Sequence, residues 1–210
     1  MSALPNTTFR IFARAPLLAA ALFCGLSTLV SAAEESKTLY ETQYQGLAMG
    51  TLITARLISP DAKAAQKLEE LVSERVDDYE TLFTVHREGP LYEVNKRSGE
   101  WVEVDCRITE LTEKAKAIAE ASDRAFEPTI GTLVNVWKIG FGGDQVPARS
   151  DIDAALKKVD YTKIETQRED NVCRMRIGKG QSIDLGAIAK GWIGTALTQD
   201  LEAAGATNVI

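Results

Sequence analysis

The residues best able to do chemistry in this chain stand in one run, Gln181-Ser182-Ile183-Asp184-Leu185-Gly186-Ala187-Ile188-Ala189-Lys190-Gly191-Trp192. Its first half reads as a short buried strand, and its second half opens an amphipathic helix towards Ala204. Gly186 permits a tight turn between them, which leaves the first amides of the helix without intrahelical acceptors. Such amides, at the positive end of a helix dipole, favour an anion. Asp184 sits where the strand ends, and Lys190 lies about one turn into the helix. An acid, unpaired amides and an ammonium this close together suit a phosphate-bearing ligand or a metal–phosphate pair. The same residues also make an ordinary strand-to-helix corner with a capping acid and a surface lysine, so spacing leaves both readings open. This is not a P-loop, because Lys190 precedes its glycine instead of following one. The dinucleotide fingerprint is absent too, and Gly178-Lys179-Gly180 is a turn signal only.

A second stretch, Ala125-Phe126-Glu127-Pro128-Thr129-Ile130-Gly131-Thr132-Leu133-Val134-Asn135-Val136-Trp137, makes two opposed demands. Its proline and glycine break regular structure while its apolar residues require burial. A buried irregular segment must satisfy its backbone polar groups one by one, and such segments often line ligands. The alternative is a core-packing loop anchored by Phe126 and Trp137. Cys106 and Cys173 lack metal-ligand spacing. An oxidising compartment permits a disulfide between them, but their small and apolar neighbours make two buried thiols the expectation. His86 is the one histidine, which rules out a His-rich zinc site within this sequence.

The elements that must position these residues begin after an export signal. Arg10 and Arg14 precede an apolar run from Ala15 to Val30, and small residues at Val30-Ser31-Ala32 precede a polar Ala-Glu-Glu-Ser. That is a secretory signal over residues 1–32 and implies a periplasmic protein, with residues 33–44 a linker. Cys24 offers the alternative of a lipid anchor at the inner membrane, although Phe23 is large where a lipid-attachment box wants a small residue. The formal net charge of -6 argues against nucleic acid or an anionic membrane as partner. The remainder is long enough for one domain with a real core, and no composition break divides it.

Gly46–Thr51 leads into an alternating strand, Leu52–Ile58, and Ser59-Pro60 reads as the start of a helix. Leu68, Leu71, Val72, Tyr79, Leu82 and Phe83 recur at helical spacing and predict a long Ala62–Leu82 helix with one buried face. Thr84–Gly99, with its Gly89-Pro90, reads as an exposed loop, and Trp101–Val104 as a short strand. Thr109 is placed to cap a helix through Arg124. Gly140–Arg149 reads as a flexible connection. Ser150 and Asp153 resemble a capping box for a helix through Lys158. Tyr161–Ile164 and Val172–Ile177 pair as strands about the polar Gln167–Asn171 turn, with Cys173, Met175 and Ile177 inward and Arg174 and Arg176 wet. Ile193, Ala196, Leu197 and Leu201 form the inner face of the last helix, and Thr207–Ile210 begins another strand.

Three segments, in this order, carry a resemblance: Met49-Gly50-Thr51 before a strand, the Phe126-Glu127-Pro128-Thr129-Ile130-Gly131 stretch with Leu133–Trp137, and Asp184–Gly191. They resemble the FAD:protein FMN transferase family, also called the ApbE family, from about Gln45 to Ile210. The resemblance implies an α+β fold, ApbE-like and T-fold-related, with mixed sheets packed by the Ala62–Leu82 and Trp192–Ala204 helices. It implies magnesium-dependent movement of the FMN moiety of FAD onto a threonine hydroxyl of an acceptor protein, with AMP leaving. The acceptor it suggests is a respiratory flavoprotein subunit. By motif, Met49, Ala125, Phe126, Glu127, Asp184 and Lys190 contact FAD, and Ala187 offers a backbone carbonyl to Mg2+.

The departures from the pattern matter as well. Val85 stands at the place of a flavin-contacting tyrosine, and Tyr92 is the nearby aromatic residue. Glu127 replaces a usual Asp, and Thr132 a usual Pro. The family's base and remaining metal ligands belong to His-x-Ile-Asp-Pro and Ala-Asp-Ala-x-x-Thr segments that the sequence does not reach by Ile210. The expectation is therefore an N-terminal portion of such an enzyme, inactive by itself and with no catalytic residue of its own. Two other classes stand beside the transferase: a non-catalytic flavin-binding or respiratory-complex assembly factor, and a structural periplasmic domain.

Overall fold

A computed structural model describes residues 10–11, 38–139 and 145–209. Apart from Arg10–Ile11, the export signal and Cys24 lie outside the described residues, as do residues 140–144 of the Gly140–Arg149 connection and Ile210. The chain divides into two compact units: Met1–Glu74 with Thr198–Ile210, and Arg75–Leu197. No linker composition marks either boundary, because each falls inside a long helix.

In the first unit the strands are β1 (Arg10–Ile11), β2 (Tyr40–Ala48), β3 (Thr51–Ser59) and β7 (Asn208–Val209), all paired antiparallel in the order β1-β2-β3-β7. β3 starts one residue before the alternation predicts. β2 is an addition, and it absorbs Tyr40–Tyr44, which the sequence reading gave to a linker. Its alternation is blurred by polar residues such as Gln43 and Gln45, so the hairpin is legible only from its partner. β2 and β3 are paired from Tyr40↔Ser59 to Ala48↔Thr51, joined by Met49 and Gly50 at φ 51° and 70°. Positive φ at both central residues is what a two-residue hairpin of the twist-matched type requires. Helix α1 (Ala62–Phe83) runs through this unit as far as Glu74; its Ala65, Leu68 and Val72 are buried, as are Leu57 of β3 and Leu201 in the same unit. Its cap is Asp61, whose carboxylate accepts the amides of Lys63 at 2.7 Å and Ala64 at 3.0 Å, so Pro60 lies outside the helix.

The second unit is built on an antiparallel sheet ordered β4 (Val102–Val104), β6 (Val172–Arg176), β5 (Glu165–Glu169). The helices are the end of α1, α2 (Pro90–Lys96), α3 (Cys106–Ala121), α4 (Gly131–Trp137), α5 (Arg149–Leu156) and α6 (Gly186–Ala203) through Leu197. Ile108, Leu111 and Ala115 of α3 are buried, as are Cys173 and Met175 of β6, while Arg176 forks across Glu165 on the wet side at 2.7 Å. The α+β class is as the resemblance implies; both described sheets are antiparallel throughout, and the one parallel contact among the described residues is an isolated bridge between Ile130 and Ser182. No helix among the described residues is long and apolar enough to cross a membrane.

Several local expectations are corrected here. Cys106 and Cys173 form a disulfide with Cα atoms 5.1 Å apart, in place of two thiols. Their positions, at the first residue of α3 and the second of β6, meet only through tertiary packing. The supposed loop at Thr84–Gly99 contains α2, which accepts Pro90 in its first turn and buries Leu91 and Val94. α3 starts ahead of Thr109, capped by Asp105, whose side chain takes the Arg107 amide at 2.8 Å. α5 begins after Ala148 with no side-chain cap, so the Ser150–Asp153 box does not form. Tyr161–Lys163 is a single 3₁₀ turn, and the first strand of the hairpin shifts to Glu165–Glu169. Leu133–Trp137 is helical, and Trp137 is exposed instead of anchoring a core loop.

Candidate functional site

All residues of the site described below belong to the Arg75–Leu197 unit. Gln181–Leu185 runs as irregular backbone instead of the expected strand, yet its polar groups are answered almost one by one. Buried Gln181 accepts the Gly178 amide at 2.7 Å and donates to the carbonyls of Lys158 at 2.9 Å and Asp160 at 2.8 Å. Ser182 bridges to Ile130. The Asn95 carboxamide holds both sides of Ile183, donating to its carbonyl at 2.9 Å and accepting from its amide at 2.7 Å. The amide of Asp184 donates to the Pro128 carbonyl at 2.8 Å. The chain then turns into α6, where Asp184 Oδ1 accepts the Gly186 amide at 2.8 Å.

The facing loop is set by the end of α3. Asp123 and Arg124 both adopt positive φ, at 50° and 64°, and the Arg124 amide reaches back to the Ala119 carbonyl at 2.8 Å. Residues without glycine's freedom are held in that region only where surrounding structure compels it, and such places concentrate at functional sites. Ser122 then takes the Phe126 amide at 3.1 Å. Glu127 is engaged on both oxygens. One accepts the amide and hydroxyl of Thr129, and the other accepts the Tyr161 amide and the Arg124 guanidinium. Thr129 in turn accepts the Asp160 amide at 2.8 Å. Hydrogen bonding from the Thr162 hydroxyl holds the Asp160 carboxyl below its ordinary value. Gly131 brings α4 against Ser182 so closely that a Cβ would lie 2.7 Å from the Ser182 carbonyl oxygen.

Two clefts open beside this framework. One, of about 570 Å³, is lined by Arg124, Ala125, Phe126, Glu127, Asp184, Gly186 and Ala187, with Ile130, Leu133, Leu156 and Val159 as its apolar wall. The other, of about 480 Å³, includes Val85, His86, Tyr92, Asn95, Asn135 and Asp184. Asp184 is common to both. The structure thus brings Ala125, Phe126 and Glu127 to the same cleft as Asp184 and Ala187, although more than fifty residues separate the two motifs. Lys190 is exposed on α6 and is not part of either lining, and Met49 belongs to the other unit. Val85 and Tyr92 line one wall together.

The sequence reading missed Arg124, Asn95 and Gln181. For Asn95 a signal existed, a polar residue directly after buried Val94 and four positions beyond buried Leu91, on the inner side of a short amphipathic helix. For Arg124 none existed, since positive φ in a non-glycine residue leaves no mark in the sequence.

The anion reading of the corner changes in its details. Asp184 already occupies the Gly186 amide, and the amides of Ile188 and Ala189 donate to the Leu185 carbonyl at 3.0 Å and 2.8 Å. A bare phosphate here would meet a carboxylate, whereas a cation–phosphate pair would be welcome. Among the described residues, however, no three His, Cys, Asp or Glu side chains cluster to hold a metal. Magnesium takes oxygen ligands in an octahedron and binds through one or two carboxylates, water and phosphate. One carboxylate and one carbonyl are less than a metal site.

A sequence profile of the ApbE family matches residues 49–210. The FAD:protein FMN transferase of Klebsiella pneumoniae (strain 342) is 35% identical over 153 residues, covering 71% of this chain and 46% of that protein. That of Treponema pallidum (strain Nichols) is 32% identical over 165 residues, covering 75% and 45%. The chain spans about half the length of these curated relatives. Among solved structures, the ApbE protein of Thermotoga maritima is 30% identical with a TM-score of 0.67, covering 78% of this chain and 53% of that one. The Pseudomonas stutzeri flavinyl transferase ApbE, at 21% identity and a TM-score of 0.70, shares the fold over 80% of this chain and 57% of its own.

Proposed function

This chain belongs to the ApbE family, and from that membership we propose that it serves an FAD:protein FMN transferase. The observation that carries the reading is the convergence of the Ala125–Glu127 and Asp184–Ala187 motifs on one cleft. In the proposed reaction a threonine hydroxyl of the acceptor protein attacks the phosphorus of the FMN moiety. The hydroxyl proton passes to solvent water, a phosphoester forms, the bond to the AMP phosphate breaks, and AMP leaves. Such a transfer gains most from positioning and from neutralising oxygen charge. The chain's own contributions are the apolar wall of Ile130, Leu133, Leu156 and Val159 for a flat ring, and the Arg124 guanidinium at the cleft for phosphate oxygens. Magnesium would supply charge neutralisation when bound; Asp184 and the Ala187 carbonyl are what these residues offer it. Export through residues 1–32, with lipidation at Cys24 as the alternative, and a respiratory flavoprotein as acceptor complete the proposal.

A second reading, a flavin-binding factor that does not transfer, is favoured by Val85 in the wall where the family pattern has tyrosine. One experiment separates the two. The full-length gene product is purified and incubated with FAD, magnesium and a threonine-bearing acceptor, and AMP and denaturation-resistant flavin on the acceptor are measured. Equal amounts of both support the transferase. Bound FAD without AMP overturns it in favour of the second reading, and neither FAD binding nor AMP overturns both.

A further inference from the structure

Asp184 borders both clefts, so whatever fixes its backbone fixes the one residue the two share. Regular structure does not do this, since Gln181–Leu185 has one isolated bridge and no ladder. Asn95, at the end of α2, does. Its carboxamide makes, with the peptide groups of Ile183, the two reciprocal bonds that an antiparallel neighbour makes at a hydrogen-bonded pair. On the following residue, the Asp184 amide is held by Pro128. The peptide leading into Asp184 is therefore clamped by a side chain just before it and a carbonyl just after it, and the carboxylate is left to cap Gly186. Asn95 also lines the smaller cleft itself.

We infer that Asn95 is a positioning residue for Asp184: its carboxamide replaces a missing strand neighbour and sets the aspartate's place between the clefts. The inference rests on the proposed reading of the site as an FAD pocket. Asparagine is singled out because it alone, at this length, carries both a donor and an acceptor in one plane. Leucine has the same size with neither, and aspartate keeps only the acceptor.

The test compares the chain with its Asn95→Leu and Asn95→Asp variants below the unfolding temperature of all three. FAD affinity is read by flavin fluorescence, and exchange of the Asp184 and Gly186 amides by hydrogen–deuterium exchange. The expected result is at least a tenfold weaker Kd for Asn95→Leu, a smaller loss for Asn95→Asp, and faster exchange at both amides in the same order. A folded Asn95→Leu variant with unchanged Kd and unchanged exchange overturns the inference. If the unsubstituted chain binds no FAD, the proposed function falls, and the exchange measurement still decides whether Asn95 positions Asp184.

Discussion

The β2–β3 hairpin and the Gln181–Leu185 segment are both non-helical runs of backbone, and they solve the same problem in opposite ways. In the hairpin every position from Tyr40 to Ala48 has a strand partner, so backbone answers backbone. Around the site segment side chains answer much of the backbone: Asn95 holds Ile183, Gln181 reaches Lys158 and Asp160, and Glu127 takes the amides of Thr129 and Tyr161 on the facing loops. Single backbone contacts such as Asp184 to Pro128 stand beside them. A ladder depends little on which residues occupy it, whereas a clamp depends on one residue alone. What this teaches is where the chain is fragile. Mutations should be absorbed by the hairpin and felt by the site, and a ligand pocket gains by it, because clamps leave the segment's outer edge free for a ligand.

Reducing the disulfide should have the largest effect and act on one side of the comparison. Cys106–Cys173 joins residues 67 apart within the Arg75–Leu197 unit. Closing a loop of that length is worth about 4 kcal/mol by loop entropy. Peptide-resolved exchange with and without reductant should show lost protection around α3 and β6 and little change in the hairpin. Equal loss in both would break the comparison. Gln181→Leu comes next: it orphans two carbonyls and an amide about a side chain 4% exposed, at a cost of about 3 kcal/mol by chemical unfolding. A loss under about 1 kcal/mol would mean that water replaces the clamp. Gly131→Ala should lose about 2 kcal/mol, because the added Cβ meets the Ser182 backbone and not a yielding side chain.

The hairpin supplies the smaller effects. Met49→Asn should stabilise by about 0.5 kcal/mol, since asparagine tolerates positive φ better than methionine does. If Met49 contacts FAD, the same variant should bind FAD more weakly while melting higher, which would mark strain kept for function. Acid should act last. Asp105, hydrogen-bonded to the Arg107 guanidinium, and Asp160, bonded to the Thr162 hydroxyl, are both held below their ordinary 3.8. Carboxyls lowered in the folded state stabilise it above that value, and the contribution fades as pH falls through the folded pKa. Among the described residues of the first unit one such group stands out, Asp61, lowered by the amides of Ala64 and Lys63. Melting curves taken from neutral pH into the range below 3.8 should therefore fall, with Asp105→Asn flattening part of the decline.

Much of the architecture was legible from residues alone where the information is local. The apolar repeat of Leu68, Val72, Tyr79 and Leu82 specified α1 to within a residue of its end, because helical faces recur every three or four positions. The alternation from Cys173 to Ile177 specified β6 and its buried side for the same reason. The motif residues of the larger cleft could be named from sequence as well. What could not be named was how they are held. The disulfide spans 67 residues and the Asn95 clamp 88, and nothing in a window of ten residues records such a meeting. Proline and glycine at positions 89–90 read as a loop because local propensity favours one, and packing of Leu91 and Val94 overrode it. By itself, then, the sequence determined the faces of the helices and strands and named the two motifs that line the larger cleft. Only the tertiary structure decided the disulfide, the clamps and the shared position of Asp184, since a lone polar side chain acquires its role from the distant backbone it meets.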